Sequence, residues 1–88
     1  MTSTVRSRVR TLRQAEEFLH REWPGRDAPG PAWLAYHQHA AELYAHVARV
    51  DADHHHEALY RAGCERDAAI AVTHGLLDSA ADGEVEPI

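Results

Sequence analysis

The chain has 88 residues, a formal charge of −5 with its eight His counted neutral, and a single Cys. That length predicts one domain, and one Cys excludes an intramolecular disulfide, so a reducing compartment is expected. An acidic body with no aromatic residue inside its N-terminal Arg run is a poor match to nucleic acid.

The charge is unevenly placed. Residues 1–26 carry six Arg and three Glu, whereas residues 27–88 carry three Arg and eleven acids. Every basic residue is Arg and sixteen residues are Ala, a combination that fits high-GC coding. The core available to such a chain is small, because Ala contributes little apolar area. A partner surface, either another protein or a second copy, is therefore expected to complete it. The first residues lead into no apolar signal segment, and no apolar run reaches the ~20 residues that span a bilayer. The expected location is the cytoplasm, with no membrane partner.

Residues 1–10 show no helical or strand periodicity and are expected to form a mobile arm carrying Arg6, Arg8 and Arg10. Thr11-Leu12-Arg13-Gln14 matches a capping box. Leu12, Ala15, Phe18, Leu19 and Trp23 then recur at helical spacing, and Pro24 ends the run. The first helix is placed over 12–22. Residues 24–30 form the one evident loop, after which Gly30 and Pro31 suit the N-cap and first turn of a second helix.

On that helix Trp33, Tyr36, His37, Ala40, Leu43, Tyr44, Val47 and Val50 share one broad face. Its width predicts contact with two neighbours, so this helix is expected to be central. Asp51 and Asp53 are good caps and poor interior residues, which predicts a tight corner; the alternative is one long helix from 31 to 74. The third helix is expected to bury Leu59, Ala62, Ala69, Ile70, Thr73 and Leu77, with Arg66 on the same side. Residues 78–88 read as an acidic, frayed tail. The expected fold is all-α: three helices with a central antiparallel hairpin, occupying residues 11–77.

The eight His invite a metal reading. His46, Asp53, His54 and His56 converge on the corner and are the candidate ligands for Zn²⁺, Ni²⁺ or Cu²⁺. Against it, three consecutive His on a helix point about 100° apart, and His-Glu-x-x-His is incomplete at His56-Glu57-Ala58-Leu59-Tyr60. Full protonation would carry the formal charge from −5 to +3, so a pH-dependent surface is expected. No nucleophile elbow, phosphate loop or dinucleotide fingerprint occurs, and the expectation is a non-enzymatic protein with no required cofactor. Its partner-binding candidates are Trp33, Tyr36, His37, Tyr44 and Arg66 on a helical-hairpin face, in a regulatory complex or a homo-oligomer.

The stretch Trp33-Leu34-Ala35-Tyr36-His37-Gln38-His39-Ala40, with Leu43-Tyr44-Ala45-His46-Val47-Ala48 and His54-His55-His56-Glu57-Ala58-Leu59-Tyr60, resembles a family of short helical actinobacterial proteins. No activity is established for that family, so the resemblance carries over no site residues. Tyr44 with Ala58, Ala62 and Ala69 is also loosely similar to a single tetratricopeptide-type hairpin. That likeness implies a helical hairpin only, since such repeats work in several copies.

Overall fold

The computed structural model describes residues 8–84, and the side chains of residues 8–77. Helix α1 spans Leu12–Arg21. Helix α2 spans Gly30–Val50. A 3₁₀ turn, Ala52–His54, leads into α3, His55–Glu84. Among the described residues there is no strand, and no helix is long and apolar enough to cross a membrane.

The capping box forms as read. The Thr11 hydroxyl accepts the Gln14 amide at 3.1 Å, and Gln14 Oε1 accepts the Thr11 amide at 3.3 Å. Gln14 Oε1 also takes the Arg10 amide at 2.8 Å. Three of the otherwise unpaired donors near this helix start are thereby satisfied. The chain leaves α1 at Glu22, ahead of Pro24, and turns through Gly25 at φ +99°, a conformation that suits glycine.

Helices α2 and α3 form the antiparallel hairpin. The Ala48 carbonyl meets His55, His37 meets Glu65, and Gly30 lies against Leu76, so residue numbers rise along one helix as they fall along the other. The long-helix alternative fails at Asp51, whose backbone (φ −110°, ψ 85°) leaves the helical region. At the open end the approach is close. A Cβ added to Gly30 would stand 2.7 Å from Leu76 Cδ2, so glycine fits there and a larger residue would have to displace Leu76.

Helix α2 contributes Ala40, Ala41, Leu43, Tyr44, Val47 and Ala48 to the core, and α3 contributes Ala58, Ala62 and Ala69. Small residues on both helices let them approach closely and pack at crystal-like density. Helix α1 adds Leu12, Ala15 and Leu19 from the other side of α2, which makes α2 central.

Three sequence expectations need correction. Leu59, Ile70 and Leu77 were expected to be buried but are 45%, 53% and 62% exposed. Helix α3 carries two apolar stripes, and its alanine stripe takes the seam because small residues let the two helices approach closely. The expected arm over residues 1–10 is in part docked: Val9 is buried, and His46 Nε2 donates to its carbonyl at 2.9 Å. Residues 1–7 lie outside the described residues. Helix α3 continues to Glu84, past the expected boundary at 77, because adding residues to a formed helix costs little and Ala80-Ala81 propagate it well. Residues 85–88 lie outside the described residues.

Leu43 is 1% exposed and among the largest fully buried side chains. Leu43→Ala is expected to lower unfolding free energy by about 3 kcal/mol, read from the urea midpoint by helical circular dichroism.

Candidate interaction site

The aromatic residues expected to meet a partner are drawn inward to different degrees. Trp33 packs edge-on to Trp23 (centroids 5.2 Å apart) and Tyr36 (5.9 Å), and stacks on His37 (5.7 Å). The Tyr36 hydroxyl donates to the Leu19 carbonyl of α1 at 3.1 Å. Burial, the largest cause, with the Glu65 carboxylate beside it, raises the Tyr36 pKa, so this hydroxyl keeps its proton. His37 Nδ1 lies 2.6 Å from Glu65 Oε1 and donates to it. Trp33, Tyr36 and His37 are half-buried and chiefly join α1, α2 and α3 at the open end of the hairpin.

Tyr44 is a correction. At 6% exposure it belongs to the core and offers no contact surface. Its face looks toward α3, where Arg61 approaches it. Arg61 was missed in the sequence reading. Its guanidinium meets Glu57 at 3.2 Å and Glu16 of α1 at 3.4 Å, joining α1 to α3. The Glu57–Arg61 spacing of four was a local signal for half of this arrangement. Glu16 had no such signal.

Arg66 is exposed on α3. At 100° per residue it shares a stripe with Leu59, Gly63, Ile70, Thr73 and Leu77. Among the described residues no ion pair engages Arg66 or its neighbour Asp67. The stripe lies on the side of the hairpin away from α1. Helix α1 touches α2 through Tyr36 and through Phe18 against His39 (centroids 5.8 Å apart), and touches α3 through Arg61. The helical rotation places Leu34 and Ala45 of α2, both partly exposed, toward that same side.

The histidines are employed one by one. His46 Nε2 holds the Val9 carbonyl, so this candidate metal nitrogen is occupied. His55 Nδ1 donates to the Ala48 carbonyl at 2.7 Å and satisfies a terminal carbonyl of α2. His54 Nδ1 meets Asp51 Oδ2 at 3.0 Å. Among the described residues no group of three His, Cys, Asp or Glu is placed to hold a metal ion. The expected assembly of His46, Asp53, His54 and His56 is thus not formed, because each imidazole that bonds here finds a nearer protein partner. Asp51, not Asp53, is the acid at the centre of the corner. Its Oδ2 accepts the Leu12 amide at 2.9 Å, thirty-nine residues earlier in the chain. A carboxylate at the start of α1 satisfies a free donor and favours the helix dipole.

Comparison with protein-family models, with curated proteins and with solved structures gives no match.

The corner predicts a defined pH response. The Leu12 amide, and then His54, hold the Asp51 carboxyl below its ordinary 3.8. The bond to Asp51, reinforced by its charge, raises His54 above its ordinary 6.5. The Asp51 contribution is present above its unfolded pKa and is lost as pH falls through the lowered value. The His54 contribution is present below its unfolded pKa and is lost as pH rises through the raised value. Thermal melts of wild type and Asp51→Ala should therefore differ most between about pH 4 and pH 6.5, with the gap narrowing on both sides. A gap independent of pH would contradict this assignment.

Proposed function

We propose that this chain is a non-enzymatic interaction module whose working surface is the side of the α2–α3 hairpin left uncovered by α1. The observation that carries this reading is the exposed apolar row on α3. Leu59, Ile70 and Leu77 are each between 45% and 62% exposed, and they line up over five turns with no covering element among the described residues. Single exposed apolar residues are ordinary, whereas several aligned on one helix face, with small residues and the Arg66 stem between them, suit a contact surface.

The surrounding chemistry supports the same reading. Arg66 stands inside the row, and Arg is favoured at contact surfaces for its stem and its fork of donors. Of the nearby acids, Glu57 is engaged by Arg61 and Glu65 by His37, which leaves Asp67 beside Arg66. Trp23, 54% exposed at the loop, and the half-buried Trp33 stand at the end of the hairpin and serve to hold its shape more than to contact a partner. Such a module would act as an accessory or regulatory subunit, in keeping with the cytoplasmic location expected from the sequence.

A photoreactive residue placed at position 70 should form adducts in the native cell, whereas the same residue at position 17, on the exposed side of α1, should not. Equal labelling at both positions, or none at 70, would refute this reading.

A further inference from the structure

Resting on that reading, we infer that the occupant of the uncovered face is a second copy of this chain. The two hairpins stack face to face as a four-helix bundle, with each α1 on the outside.

The first argument is the pattern of the row. Leu59, Gly63, Arg66, Ile70, Thr73 and Leu77 follow at spacings of four, three, four, three and four. That order reads the same from either end, so an isologous two-fold contact keeps the whole row in register. Run antiparallel, Leu59 of each copy meets Leu77 of the other, the small residues Gly63 and Thr73 meet, and Ile70 covers the aliphatic stem of Arg66. A spacing of this kind is also the seam pattern of paired helices, narrower than the broad face by which a helix joins a core.

The second argument is charge. Arg66 is the one charged residue in the row, and no ion pair engages it or Asp67 among the described residues. In the antiparallel pair Asp67 of the other copy comes within reach of Arg66, so each copy supplies what the other lacks. The remaining acids of this part of α3 are turned elsewhere, Glu57 toward Arg61 and Glu65 toward His37.

The third argument is area. The row is about 27 Å long at 1.5 Å per residue, and two helices side by side present a face about 20 Å wide. That footprint, about 540 Å² on each partner, puts the pair at the smaller end of specific interfaces, just above the roughly 1,000 Å² in total that such contacts bury. Leu34 and Ala45 of α2, both partly exposed, extend the apolar surface across the hairpin.

The test is sedimentation equilibrium of the full chain, with helical content followed in parallel. Wild type is expected to sediment at twice the chain mass. Ile70→Glu and Leu77→Glu should each weaken association by more than roughly tenfold while helical content stays unchanged, since both side chains are half or more exposed. Arg66→Asp should also weaken it, and adding Asp67→Arg should restore it. A wild-type monomer at several hundred micromolar would overturn the inference, as would a dimer indifferent to both Glu substitutions. Failure of Asp67→Arg to restore association would overturn the antiparallel pairing. A monomer whose position 70 still forms adducts with a different protein would overturn self-association and leave the interaction reading standing.

Discussion

The structure depends on one packing constraint: α2 and α3 must approach along small residues. Ala40 of α2 and Ala58 and Ala62 of α3 have no exposure, and Leu43 and Val47 of α2 are the largest fully buried side chains. Alanine adds little apolar area of its own, but it lets two helices approach closely enough for dispersion contacts to accumulate. The same constraint explains why Leu59, Ile70 and Leu77 face outward. A helix has one line of closest approach, and here the small residues occupy it.

A core this modest leaves α1 dependent on polar ties. Ten residues make a helix shorter than the length that is stable alone in water, so tertiary contacts must hold it. The Asp51 carboxylate caps it from the corner, the Tyr36 hydroxyl takes a carbonyl near its end, and Arg61 reaches Glu16 at its middle. His46 fastens the segment just before it. The richness in histidine thus has a structural account. An imidazole can donate across a short gap to a carbonyl or carboxylate, and four of the eight do so here.

These ties have a functional corollary. They consume the groups that would otherwise have made a metal or acid–base site, and all of them lie on the α1 side or at the ends of the hairpin. The opposite side carries the exposed leucines and isoleucine with Arg66 among them. This one-sided cover is the physical basis of the interaction proposal.

Local patterns determined much of the fold without help from tertiary contacts. The capping box at Thr11, the stop at Pro24, the break at Asp51 and the helical periodicity between them follow from rules that act within a few residues, and each was legible in the chain. Which of two apolar stripes on α3 would be buried was not, since period alone cannot rank a leucine stripe against an alanine stripe. That choice belongs to the helix opposite. Nor could spacing reveal that Asp51 caps a helix thirty-nine residues away, that Glu16 meets Arg61, or that Tyr44 is sealed inside. Those contacts join residues distant in sequence, and only the folding back of α3 along α2 decides which side chains come within hydrogen-bond reach.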